Sequence, residues 1–249
     1  MKTVLYILSS RFENDEKFKN LYSQADYIIA VDGGLLIAKE NNLIDKIFFA
    51  IGDFDTCQNP EKIISEDKIF RFPVKKDLTD SILAYKLFNE NIKKNQEMEF
   101  KHIFFSVSGP RQDHFLSLIF YFTWLFNQTK IDKNFIFKRK KTEFFTDLLN
   151  IEFHNDVESM FLLKAGKYKI YEQNDKIFSF FPLTKIYNLT LNPVEYPFPK
   201  KLEKFYYAGI SNIFNDNIVE LSFETGEGIL FIENKDGNRI KIERLYKQF

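Results

Sequence analysis

Four short apolar runs set what this chain can fold into: residues 3–8 (TVLYIL), 27–31 (YIIAV), 46–51 (KIFFAI) and 102–107 (HIFFSV). None alternates cleanly with polar residues. Strands covered on both faces read this way, which points to a parallel sheet. Helical stretches fall between them. Residues 34–41 form one. Residues 79–92 form another, placing Ile82, Tyr85, Leu87, Phe88 and Ile92 near one face behind Thr79 as N-cap. Strands alternating with helices imply right-handed βαβ units and an α/β, doubly wound parallel sheet.

A chain of 249 residues is long for one domain at roughly 150 residues each, and near residue 158 the pattern changes. Short β-like runs follow at 159–163, 168–171, 177–181, 186–191, 204–207, 218–223, 228–233 and 239–245. Breaks between them include Ala165-Gly-Lys167, Pro182, Asn192-Pro193, Gly209 and Lys235-Asp-Gly-Asn238. Asp236-Gly237 between alternating runs is a hairpin signal. The expected organisation is therefore an α/β domain over 1–157 and an all-β sandwich over 158–249. Residues 130–148, with Lys138-Arg-Lys-Lys141 inside, read as an extra helix or a loop, and the basic run as a solvated face. Trp124, at helical spacing from Phe120, Tyr121 and Leu125, reads as core.

Composition narrows the function classes. Lysine plus arginine equals aspartate plus glutamate at 35 each, so the formal charge of zero gives no electrostatic reason to expect nucleic acid or an anionic membrane. Cys57 is the lone cysteine, which leaves no intramolecular disulfide and suits a reducing, cytoplasmic setting. The apolar N-terminal run is too short for a signal peptide or a spanning helix and reads as the first strand.

Polar clusters sit where the parallel strands end. Asp32-Gly33-Gly34 follows the second run, and Gly52-Asp53-Phe54-Asp55-Thr56 follows the third. Lys75-Lys76-Asp77-Leu78-Thr79-Asp80 opens the long helix, and Gly109-Pro110-Arg111-Gln112-Asp113-His114 follows the run at 102–107. Ligands of open parallel sheets bind at that carboxyl edge. On an extended segment Asp53 and Asp55 point the same way. Two carboxylates about 6 Å apart at an effective dielectric near 20 repel by roughly 3 kcal/mol, so the cluster calls for a cation. Mg²⁺ suits hard carboxylate oxygens and completes its shell with phosphates. Lys75, Lys76 and Arg111 supply complementary charge, and Gly33, Gly34, Gly52 and Gly109 allow close backbone approach to a nucleotide. Each motif alone also has a structural reading: a turn for Asp-Gly-Gly, helix capping for Asp77 to Asp80, a hydrogen-bonded structural histidine for His114. Their joint placement favours a phosphate-transfer site.

Asp32-Gly-Gly, Gly52-Asp-Phe-Asp-Thr, Lys76-Asp-Leu-Thr-Asp80 and Gly109-Pro-Arg-Gln-Asp-His114, in this order, resemble the thiamine pyrophosphokinase family. Phe178-Ser-Phe-Phe-Pro-Leu-Thr184, Glu195-Tyr-Pro197 and Gly209-Ile-Ser-Asn212 resemble motifs of its second domain. The resemblance implies an α/β domain plus a β-sandwich, a homodimer with thiamine at the subunit interface, and pyrophosphate transfer from ATP to thiamine. It implies Asp53, Asp55 and Asp80 around Mg²⁺ as catalytic and metal residues, with Asp113 orienting the site. Asp32, Gly33, Gly34, Lys76, Asp77, Thr79 and Arg111 would hold ATP, and Ser211 and Asn212 would face the thiamine pyrimidine. Pro110 departs from the family's glycine and removes a backbone donor. Ser117-Leu118 stands where Ala-Asn is usual, and residues 130–148 exceed the usual connection. The rival readings are a metal-dependent phosphohydrolase or other nucleotidyl enzyme, for which Ser211 and Asn212 have no use, and a catalytically silent thiamine or nucleotide binder.

Overall fold

The computed structural model describes residues 1–91, 99–109, 111–131 and 150–245. They divide into two compact units, Met1–Asp156 and Val157–Phe249. Ile92, Pro110 and residues 132–149, including the basic run at 138–141, lie outside the described residues.

In the first unit the strands are β1 (Lys2–Ile7), β2 (Tyr27–Val31), β3 (Ile47–Gly52), β4 (Ile69–Arg71), β5 (Phe100–Phe105) and β6 (Ile151–His154). They pair side by side in the order β6-β5-β1-β2-β3-β4, every pair parallel. Among the described residues its α-helices are α1 (Asp15–Ser23), α2 (Gly34–Glu40), α3 (Asp80–Asn91) and α4 (Gln112–Ile131). Leu5, Ile7, Ile28 and Ala30 of the sheet pack with Phe18 of α1 and Leu35 of α2. On other strand positions, His102 and Phe104 meet Tyr85 and Phe88 of α3 and Phe122 of α4. Burying each such side chain stabilises by about 1.5–3 kcal/mol, so helices on both sides explain the unbroken apolar runs.

One expectation for the helices holds in position and another changes. Thr79 stands at the N-cap position, its carbonyl accepting from Leu83 N–H at 3.0 Å, but its hydroxyl meets Ser81 Oγ at 3.2 Å. Trp124 is not core: it is 55% exposed and Phe120 57%, because Leu118, Ile119 and Phe122 take the inward face and leave the opposite face to solvent. Among the described residues no helix is long and apolar enough to cross a membrane.

The second unit is a mainly antiparallel assembly dominated by two long strands, β7 (Glu158–Tyr171) and β13 (Ile218–Glu233). The Ala165-Gly-Lys167 break therefore does not exist as an interruption. The expected gap between 223 and 228 is a bulge in β13, where the register shifts and Gly226 has φ +94°. Around them lie β8 (Ile177–Pro182), β9 (Ile186–Tyr187), β10 (Thr190–Asn192), β11 (Lys201–Leu202), β12 (Asn212–Ile213) and β14 (Ile242–Leu245). The run at 204–207 is not a strand, and β11 lies just before it. The Asp236-Gly237 hairpin is also corrected: β14 pairs with β7, not β13. Asp236 instead caps its own turn by accepting from Asn238 N–H at 3.1 Å, with Gly237 at φ +67°.

Strand β6 carries buried charge. Glu152 lies 2.5 Å from Lys101 Nζ on β5 and 3.1 Å from His154 Nε2, all three shielded from solvent. Burial alone would raise the Glu152 carboxyl, but Lys101 and His154 more than offset it and hold it below its ordinary value. Burial holds the His154 imidazole below its ordinary value, against the pull of Glu152. Both groups bind protons less readily folded than unfolded, so the unfolded chain gains protons first as pH falls. The stability these two groups contribute is expected to be nearly complete at pH 7 and to decline from about 6.5 downward, with the Glu152 share lost in the acid range. Urea unfolding as a function of pH checks this. Glu152→Ala is expected to cost about 3 kcal/mol at pH 7, since it strands buried Lys101.

Candidate functional site

The site begins with how closely three backbones approach. A Cβ on Gly34 would lie 2.0 Å from the Ile7 carbonyl oxygen, and one on Gly52 would lie 3.0 Å from Asp32 Cα. These glycines pack the ends of β1, β2 and β3 together. Asp32 follows β2 at φ +49°, its N–H donating to the Ile51 carbonyl at 2.8 Å. A single side chain fixes the turn after β3. Phe54 adopts φ +56° and is buried, and the Arg71 guanidinium stands 5.3 Å over its ring while pairing with Glu61 at 2.7 Å. With Phe54 driven inward, Asp53 and Asp55 face outward from a turn rather than from an extended strand.

The outcome is a compact acidic group. Asp32, Asp53 and Asp55 each offer a carboxylate oxygen within 4.8 Å of the others. The Thr56 hydroxyl lies 3.2 Å from Asp32 Oδ2 and 2.9 Å from Asp55 Oδ1, bridging two of them. Burial raises the Asp32 carboxyl, and the charges of Asp55 and Asp53 raise it further against the Gly33 N–H and Thr56. Asp32 Oδ1 is closed to solvent and has no hydrogen-bond partner among the described residues. An orphaned oxygen among crowded carboxylates is what a hard divalent cation relieves, so the donor set fits Mg²⁺.

Asp80 stands beside this group. Lys76 Nζ lies 3.0 Å from Asp80 Oδ1 and 3.5 Å from Asp53 Oδ2. Burial raises the Asp80 carboxyl, Lys76 opposes it and Asp53 adds to it. The structure thus groups Asp32, in place of Asp80, with Asp53 and Asp55. Asp77 is exposed and Thr79 half-buried at the start of α3. Asp113 is held elsewhere: Arg111 binds it through two bonds, Nε to Oδ1 at 3.0 Å and Nη2 to Oδ2 at 2.8 Å, both side chains well exposed. That fork lowers the Asp113 carboxyl to about 2.

In the second unit, Ser211 is exposed at φ +52°, its N–H donating to Ser179 Oγ at 3.1 Å. Asn212 is buried and occupied: Oδ1 accepts from Tyr196 N–H at 3.0 Å and Ile213 N–H at 2.9 Å, and Nδ2 donates to the Tyr196 carbonyl at 2.7 Å. Its amide ties down the 195–197 turn. Thr56, Phe54 and Arg71 carried no role in the sequence reading. Thr56 lies inside a quoted motif, whereas nothing local marks Arg71 as the cover of Phe54.

The first unit is similar to a known catalytic domain. Residues 18–133 match the family model described as thiamin pyrophosphokinase, catalytic domain, and all four acidic motifs fall inside that span. This stretch is accordingly similar to the catalytic domain of thiamin pyrophosphokinases, the family its motifs resemble. Solved structures share the fold across both units. A thiamin pyrophosphokinase family protein from Enterococcus faecalis is 19% identical with a TM-score of 0.70, covering 94% of this chain and 99% of its own. Thiamine pyrophosphokinase from Bacillus subtilis is 22% identical at 0.68, with the same coverage of 94% and 99%. Thiamin pyrophosphokinase from Candida albicans is 18% identical at 0.66, covering 93% and 88%. No curated protein sequence matches the chain.

Asn212→Ala is expected to cost about 2 kcal/mol, because it leaves the Tyr196 and Ile213 backbone groups without partners. Thermal unfolding measures this. Gly34→Ala should destabilise at least as much, since its clash is with backbone.

Proposed function

We propose that the chain transfers pyrophosphate from ATP to the primary hydroxyl of thiamine, giving thiamine diphosphate and AMP, with Mg²⁺ as cofactor. The reading rests on one observation above others, the carboxylate oxygens of Asp32, Asp53 and Asp55 within 4.8 Å beside the Lys76 ammonium. In this reading the first unit is a doubly wound catalytic domain that binds ATP, the second a β-sandwich that binds thiamine. The enzyme works as a cytoplasmic homodimer with thiamine at the subunit interface.

Asp32, Asp53 and Asp55 would hold the cation, whose bound chemistry is to neutralise phosphate charge and fix the triphosphate's orientation. The chain's own residues do the rest. Lys76 and Arg111 bind phosphate oxygens, Arg111 exchanging its fork on Asp113 for a fork on phosphate. Gly33, Gly34, Asp77 and Thr79 border the nucleotide. Ser211 presents a hydroxyl to the thiamine pyrimidine, and Asn212 holds the turn beside it. The thiamine hydroxyl oxygen bonds to the β-phosphorus while the bond from that phosphorus to the AMP oxygen breaks. The hydroxyl proton passes to Asp80 or Asp55. Positioning and charge neutralisation supply most of the acceleration, as in phosphoryl transfer generally.

Incubation with ATP, Mg²⁺ and thiamine should yield AMP and thiamine diphosphate by chromatography, and EDTA should abolish both. ADP or inorganic phosphate as the sole product would instead indicate a kinase of another type or a phosphohydrolase. Thiamine binding by calorimetry without turnover would indicate a silent binder. Asp53→Asn and Asp55→Asn are each expected to lower kcat by a factor of about 100 or more with the fold retained. Unchanged turnover in both would remove the metal site from the account.

A further inference from the structure

We infer that Lys76 is a built-in rival of the metal: its ammonium neutralises Asp53 and Asp80 in the nucleotide-free protein and must leave them when the metal arrives with its nucleotide. This rests on the metal site proposed above, and goes beyond it by assigning Lys76 a role before any substrate binds.

Geometry carries the inference. Lys76 lies four residues before Asp80, the first residue of α3, and its ammonium reaches past Asp80 to Asp53. The three side chains are only 13%, 16% and 20% exposed, so solvent and salt screen them weakly. Asp53 is the shared member: it belongs to the trio that offers oxygens within 4.8 Å, and its Oδ2 also faces Lys76. A cation entering alone therefore meets a fixed positive charge on the far side of one of its own ligands. A cation that brings a triphosphate does not, because phosphate oxygens give the ammonium a new partner. The long lysine stem lets the charge swing across without backbone movement. Departure of Lys76 also frees Asp80 Oδ1, which is closed to solvent and has the ammonium as its neighbour. Lys76 is thus a positioning residue that disfavours bare metal and favours the metal–nucleotide pair.

Removing the ammonium should move two affinities in opposite directions. Binding of Mn²⁺ to the full chain without nucleotide, followed by electron paramagnetic resonance, should tighten about tenfold in Lys76→Met. Lys76→Gln should tighten similarly and serves if the methionine variant does not fold. Lys76→Arg, which keeps the charge, should stay within about twofold of the parent. Binding of a non-hydrolysable ATP analogue with Mn²⁺ should weaken in Lys76→Met. Cation affinity that is unchanged or weaker in both neutral variants would overturn the inference, since a lysine that only binds phosphate or only stabilises the helix predicts one of those results. Asp53→Asn separates the two levels of the account. Loss of Mn²⁺ binding in that variant keeps the metal site, so a null result at Lys76 then counts against the lysine alone. Retention of binding would overturn the metal site and the inference with it.

Discussion

Like charges repel, and the chain gathers three of them at the end of its sheet. Asp32, Asp53 and Asp55 stay together because the backbones beneath them cannot separate: Gly52 packs on Asp32, Gly34 on Ile7, and the Asp32 N–H is bonded to Ile51. Phe54 anchors the turn from below, with Arg71 over its ring. The cost of crowding shows in Asp32, whose carboxyl is pushed up by burial and by its neighbours, and in an oxygen that no described donor reaches. Sheet packing supplies the force that holds the arrangement. Thr56 and Lys76 moderate its charge, and a cation would complete it.

Much of the α/β unit was legible in the sequence because its central strands are buried on both faces. β1, β2, β3 and β5 fall within two residues of the apolar runs that announced them. The two shortest strands of this unit were not legible. β4 has three residues, too few for a pattern, and β6 reads Ile-Glu-Phe-His, where polar letters suggest solvent although all four residues are buried. Only the partnership of Glu152 with Lys101 and His154, distant in sequence, makes that burial tolerable. Trp124 failed for the converse reason: helical spacing identifies a face but not which side it turns to.

The β unit was legible in class and less so in detail. Glycine reads as an interruption, yet Gly166 and Gly226 lie inside long strands, the second at a bulge. Asp236-Gly237 does turn the chain, but its following strand joins β7 because pairing is decided by the whole sheet. At the site, the motifs named all three of Asp32, Asp53 and Asp55, but set Asp80 beside the last two and gave Asp32 to ATP. They did not foresee that Asp80 is engaged by Lys76, that Asp113 is engaged by Arg111, or that Asn212 spends its amide on Tyr196. Such pairings depend on side-chain reach, which spacing does not encode.

The central claim is that the Asp32, Asp53 and Asp55 group is a cation site serving a nucleotide. The most direct measurement is an anomalous difference map from a crystal of the protein grown with Mn²⁺ and a non-hydrolysable ATP analogue. The account predicts a manganese peak bounded by these three carboxylates and in contact with the analogue's phosphates. A peak at other residues, or phosphates bound with no metal beside Asp53, would contradict it.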